Sequence, residues 1–81
     1  MNNAIYLLSS FIRGIGINNE TYYHEGEKYI SVDFGRVPIN LNDLKIEIDD
    51  YLFQNSYNEK YKLEAIKIEE TEKAHFRLIN I

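Results

Sequence analysis

Glu20-Thr21-Tyr22-Tyr23-His24-Glu25-Gly26-Glu27-Lys28-Tyr29-Ile30-Ser31-Val32-Asp33-Phe34 is the stretch on which the fold turns. Ile30, Val32 and Phe34 alternate with Tyr29, Ser31 and Asp33, the period of a strand with one apolar and one polar face. The segment therefore predicts a β-hairpin over 20–34. Two turns fit it. A three-residue loop, His24-Glu25-Gly26, places Gly in the left-handed position; a two-residue loop, Glu25-Gly26, is its rival. A one-residue slip flips every side chain of the first strand. The two-residue turn sets Tyr22 opposite Tyr29 on the polar face, whereas the three-residue turn sends Tyr22 to the apolar face and Tyr23 to the other.

Upstream, Ala4, Ile5, Leu8, Phe11, Ile12 and Ile15 recur at helical spacing and predict a helix over 3–14. Asn2 or Asn3 can cap its start and Gly14 can take the left-handed place after its end. Residues 14–19 then form a loop. Downstream, residues 41–54 carry two signals. Leu44, Ile46 and Ile48 alternate strictly with Lys45, Glu47 and Asp49, a strand pattern. Leu41, Leu44, Ile48, Tyr51 and Leu52 fit a helical stripe over a longer span. Pro38 before the segment, Asn40 as N-cap, Asp43 in the first turn and the Ile39/Leu44 staple favour a helix, with Ile46 and Phe53 off its main stripe.

Residues 61–69 and 74–81 read as a second hairpin around Glu70-Thr71-Glu72-Lys73. A turn centred on Thr71 pairs Ile66 with Phe76, Ile68 with Ala74 and Leu63 with Ile79. Even-numbered residues are then apolar near the turn, and odd-numbered residues (Tyr61, Leu63, Ile79, Ile81) near the open end. That requires either a bulge or cover on both faces, and the second alternative points to a homodimer through this C-terminal hairpin. The expected fold is α+β and two-layer, in the order αββαββ, with a four-stranded antiparallel sheet and two helices on one face.

The chain has 81 residues, which predicts a single globular domain over 1–81. Its core is small, and an active site between two lobes does not fit at this size. Hydrophobic residues make up 44% and charged residues 27%, which argues against disorder. With no Cys there is neither a disulfide framework nor a thiolate metal site. The apolar run that includes Tyr6-Leu7-Leu8 is too short to span a membrane, and the start shows no signal-peptide pattern. These features fit the cytoplasm of a bacterial host, and the wealth of Ile, Asn, Lys, Glu and Tyr fits A+T-rich codons. The sequon Asn19-Glu20-Thr21 carries no meaning without secretion.

Nine Lys and Arg stand against thirteen Asp and Glu, a net charge of −4. Basic residues scattered singly make a poor phosphate-binding surface, so direct nucleic-acid binding is disfavoured. His24, Glu25, Glu27 and His75 match no metal-ligand spacing, so no metal and no cofactor is expected. Gly14-Ile15-Gly16 lacks the third Gly and the following helix of a phosphate loop and reads as a helix stop. Two His without Cys give no nucleophile triad, and no carboxylate pair is marked as buried. Catalysis is not expected.

Two groups remain as candidates for contact with a partner. Asp43, Glu47, Asp49 and Asp50 on the second helix, with Glu69, Glu70 and Glu72 at the second turn, would attract a basic protein surface. The bland reading is a solvated helix face and a polar turn. Tyr22, Tyr23 and Tyr29 cluster on the first hairpin, and Tyr serves well as an anchor because it buries area at low entropy cost. Against this, strands simply favour Tyr. In size, acidity and Tyr content the chain resembles the small inhibitors that phages and plasmids direct at bacterial enzymes, anti-CRISPR proteins among them. No motif carries that resemblance, so it transfers no residue roles. The expected function is non-catalytic: binding and blocking a host nucleic-acid-handling or defence enzyme. A homodimeric structural or regulatory protein, and an immunity protein that neutralises a toxin, are the alternatives.

Overall fold

The computed structural model describes residues 4–81. In chain order it contains α1 (Ala4–Gly14), β1 (Glu20–His24), β2 (Glu27–Asp33), α2 (Leu41–Gln54), a 3₁₀ turn (Tyr57–Glu59), β3 (Tyr61–Lys67) and β4 (Lys73–Asn80). The α+β class is as the sequence predicts. The strands form one antiparallel sheet in the order β1-β2-β4-β3. Because β4 lies between β2 and β3, those two strands run parallel, and α2 is the crossover such a pair requires.

Glu25 and Gly26 both take positive φ, 51° and 82°. This is the two-residue primed turn whose twist matches that of the strands it joins. It fixes Tyr22 opposite Tyr29 and Tyr23 opposite Lys28. Ile30 and Val32 consequently point inward, opposite Phe76 and Ala74 of β4.

The second hairpin departs from the expected register. Leu63 pairs with Leu78, Ile66 with His75 and Lys67 with Ala74. The cause is the turn. The Ile68 N–H donates to the Lys73 carbonyl, closing an even-numbered loop over 69–72. The Thr71 hydroxyl donates to the Ile68 carbonyl and accepts the Lys73 N–H, and Glu70 takes the left-handed conformation at φ 63°. One step of slip reconciles the two apolar patterns. Tyr61, Leu63 and Ala65 join Ala74, Phe76 and Leu78 against one core, and no bulge is needed.

α1 and α2 contribute their buried stripes to that core: Ala4, Ile5, Leu8 and Ile12 from α1, and Leu44, Ile48 and Leu52 from α2. Phe11 stacks on Tyr51 at 4.2 Å between ring centroids and joins the two helices. The 41–54 segment is helical despite its alternation. Asn40 caps it, its side chain accepting the Asp43 N–H at 2.8 Å, and Ile46 is left 58% exposed. The cap expected at Asn2 or Asn3 lies outside the described residues.

α1 ends at Gly14, as the spacing predicts, but Gly14 does not take the left-handed place. Gly16 carries the positive φ of 87°. The Gly16 N–H bonds to the Arg13 carbonyl and the Ile17 N–H to the Ile12 carbonyl. This is a Schellman termination, and its hydrophobic partner Ile17 is buried in place of the half-exposed Ile15. Asn19 then ties the loop back to the helix. It is 7% exposed, accepts the Ser9 hydroxyl at 2.7 Å and donates to the Ser9 carbonyl at 3.3 Å. The sequon asparagine is thus an internal strut with no room for a glycan.

Replacing Asn19 with Ala strands the Ser9 groups and should cost about 2 kcal/mol. For a domain of this size that is a melting temperature lower by roughly 10 °C, read by thermal denaturation. A shift under about 2 °C would show that Asn19 is dispensable.

Candidate functional site

The strand residues that alternate with the core set line the other face of the sheet, which no described helix covers. Its composition follows from the registers. One row runs Glu20, Ser31, His75, Ile66 across all four strands. The neighbouring row holds Tyr22 opposite Tyr29 and Arg77 opposite Glu64. Beyond it, His24 pairs with Glu27 and Ile79 with Lys62.

Four rings gather on this face. Tyr22 lies 4.2 Å from His75 and 6.5 Å from His24, centroid to centroid, and Tyr29 lies 6.4 Å from His24 and 6.2 Å from His75. Arg77 organises the centre. Its guanidinium sits 5.1 Å over the Tyr29 ring and pairs with Glu27 at 3.1 Å and Glu64 at 3.3 Å. The Tyr29 hydroxyl donates to Glu64 at 3.4 Å. Arg77 Nε is buried without a hydrogen-bond partner in the structure, so the ring stack and the two carboxylates hold the group. Burial raises the Tyr29 pKa against the opposing pull of Arg77, with Glu64 adding to the rise. The hydrogen bond to Glu64 raises that of Arg77.

The sequence-predicted tyrosines separate. Tyr22 is 43% exposed on the open face. Tyr29 shares that face but is only 4% exposed, walled in by its neighbours, so it builds the surface instead of presenting itself. Tyr23 points to the side of the sheet that faces the helices. There, beyond the edge of the core, it shares Lys28 with Tyr6, the ammonium lying 5.9 Å and 4.9 Å from the two ring centroids.

The predicted acids occupy other ground. Asp43, Glu47, Asp49 and Asp50 lie on the solvent side of α2, opposite its buried Leu44, Ile48 and Leu52. None of the four forms an ion pair among the described residues. Ile46 and Phe53, 58% and 72% exposed, stand among them. Glu69, Glu70 and Glu72 sit exposed at the β3–β4 turn. The acidic side of α2 and the aromatic face of the sheet therefore lie on opposite sides of the molecule, and a single flat partner cannot touch both.

Sequence reading missed His75, Arg77 and Glu64 as members of the aromatic cluster. Only the corrected second-hairpin register brings them beside Tyr29, and that register depends on a loop length no residue signal fixed. Among the described residues, no group of three or more His, Cys, Asp or Glu side chains is placed to hold a metal ion. No described helix is long and apolar enough to cross a membrane. No protein-family model, curated protein or solved structure matches the chain.

His75 gives this face a pH signature. Burial lowers its pKa below the ordinary value of 6.5, and His24 and then Lys73 add to the effect. The imidazole is neutral in both states above pH 6.5. As pH falls below that value, the unfolded chain binds a proton that the folded chain resists, and stability declines until the folded pKa is reached. Melting curves between pH 7 and pH 5 should therefore show a smaller acid-side loss in His75→Phe, which keeps a ring against Tyr22, than in the parent. Parallel curves would show that His75 does not drive the effect.

Proposed function

We propose that this protein is a non-catalytic binding module whose working surface is the solvent side of α2. Its partner would be a protein with a basic surface, in the first instance a nucleic-acid-handling or defence enzyme of a bacterial host. The biological setting would be that of a small inhibitor carried by a phage or other mobile element, of the anti-CRISPR kind.

The observation that carries this reading is the exposure of Phe53 and Ile46 amid four carboxylates that form no ion pair among the described residues. Apart from Asp43, which suits the macrodipole in the first turn, the arrangement does not favour the helix itself. Asp43 and Glu47 are like charges at i,i+4 spacing, which disfavours a helix by about 0.2–0.5 kcal/mol per pair. The last turn holds no basic residue to offset the macrodipole. Leaving a large aromatic side chain in water gains the fold nothing either. A basic partner would remove both penalties, with Phe53 as the anchor and the carboxylates steering approach.

A homodimer remains a second reading because Ile66 and Ile79 are each about one-third exposed on the open sheet face, at 37% and 36%. That reading moves the contact from α2 to the sheet. An immunity protein against a toxin would use the same physics as the leading reading with a different target.

The test is affinity capture by the tagged protein from lysate of a low-G+C bacterium supplemented with CRISPR and other defence nucleases. The parent should retain one stoichiometric partner at low salt and lose it at high salt. Phe53→Ala should weaken that binding about tenfold or more, and the double change Asp49→Lys, Asp50→Lys should abolish it. Neither should move the melting temperature by more than about 2 °C, because the altered side chains are exposed. Unchanged binding by both variants would overturn the role of α2. Recovery of only its own copies, with a dimer in light scattering, would replace the leading reading by the homodimer.

A further inference from the structure

A hollow of about 390 Å³ opens on the uncovered sheet face, bordered by Glu20, Tyr22, Ser31, Ile66, Lys73 and His75. Its origin is local. Ser31 is the smallest side chain of its row and sits on the central strand β2, between the Tyr22/Tyr29 row and the Lys73 end of β4. The floor is His75, 7% exposed. Its ring is held by Tyr22 at 4.2 Å, yet its imidazole makes no hydrogen bond to any described residue. Neither ring nitrogen is sealed away, since among the described residues the only buried side-chain nitrogen or oxygen without a partner is Arg77 Nε. The imidazole thus lines the hollow with no hydrogen-bond partner among the described residues, and a polar group that enters the hollow can take the place of water at its nitrogens.

We infer that this hollow is a recognition pocket for a tyrosine side chain presented by a protein. The walls specify the ligand. The Tyr22 ring face and Ile66 offer apolar contact to a flat ring, and the His75 imidazole and Ser31 hydroxyl offer hydrogen bonds to a polar tip. Glu20 and Lys73 at the rim oppose each other in charge, so no net field selects an ion. A phosphate-bearing nucleotide meets the Glu20 carboxylate and a chain of net charge −4. A neutral ring with one hydroxyl meets no such cost. The hollow lies on the side opposite the exposed residues of α2, so this inference does not rest on the function proposed above and can fail independently of it.

The test is a titration of the isotope-labelled protein with N-acetyl-L-tyrosinamide, followed by amide and side-chain NMR. Shifts should be confined to His75, Tyr22, Ser31 and Ile66 and saturate in the millimolar range expected for one small ring. Ser31→Leu fills the hollow from the position opposite His75 and should abolish the shifts while the spectrum stays folded. His75→Phe keeps the shape and removes the nitrogens, and should weaken binding about fivefold, near 1 kcal/mol. N-acetyl-L-alaninamide should give no saturable shifts. Equal response to the alanine compound, or no response to tyrosinamide, would overturn the proposal. Tighter binding of uridine monophosphate at the same residues would overturn it in favour of a base-stacking surface.

Discussion

Everything in this molecule depends on the parity of two hairpin loops. Side chains alternate across a strand with period two, so one residue more or less in either loop would exchange its faces. The Glu25–Gly26 turn is short, and its positive φ values suit a glycine at one position and are tolerated at the other. The 69–72 turn reaches the same parity differently, through the Thr71 hydroxyl and a left-handed Glu70. Together they place Ile30, Val32, Phe76, Ala74 and Leu78 in one apolar layer, and no residue of that layer can be spared in a domain this small.

The same parity assembles the opposite face without any helix to cover it. Tyr29 is as buried as a core residue because Arg77, Glu64, His24 and Tyr22 close over it. Exposed ion pairs alone contribute little. Here one guanidinium answers two carboxylates and a ring at once, so the geometry of each contact is fixed by the others. The face is therefore ordered by polar and aromatic contacts where a two-layer domain usually leaves solvated side chains. That order also makes the Ser31 hollow a shaped feature, since its walls are held by contacts that do not involve the hollow itself.

Local chemistry made the elements legible. Periodicity exposed α1 and β2, and Asn40, Asp43 and the Ile39/Leu44 staple settled α2 against a strand-like alternation. The left-handed position after α1 was misplaced because two glycines compete for it, and only the burial of Ile17 decides for Gly16. Register was not legible in either hairpin for a common reason. Loop length is set by backbone bonds such as Ile68 N–H to the Lys73 carbonyl, which many sequences can make or omit. The candidate site inherited that blindness. Its exposed acids on α2 were visible from helical spacing, but the company kept by Tyr29 and His75 follows from cross-strand partners.

The flatness of the fold then limits how its surfaces work together. The Cα extents are 33 × 28 × 18 Å, and the short axis is little more than one helix layer packed on one sheet layer. Side chains add to that separation between the outer carboxylates of α2 and the rings of the sheet face. At physiological ionic strength the screening length is about 8 Å, so a charge on one side is nearly invisible to a ligand on the other. Under the proposed function, the acidic side of α2 would steer a basic partner without repelling anything that approaches the sheet face. Conversely, the Arg77 guanidinium offsets one of the two charges of Glu27 and Glu64, so the sheet face carries a weaker field than α2 and depends more on contacts made at touching distance. Thinness thus gives one small domain two surfaces of different character, one acidic and exposed on α2 and the other shaped by rings and hydrogen-bonding groups on the sheet.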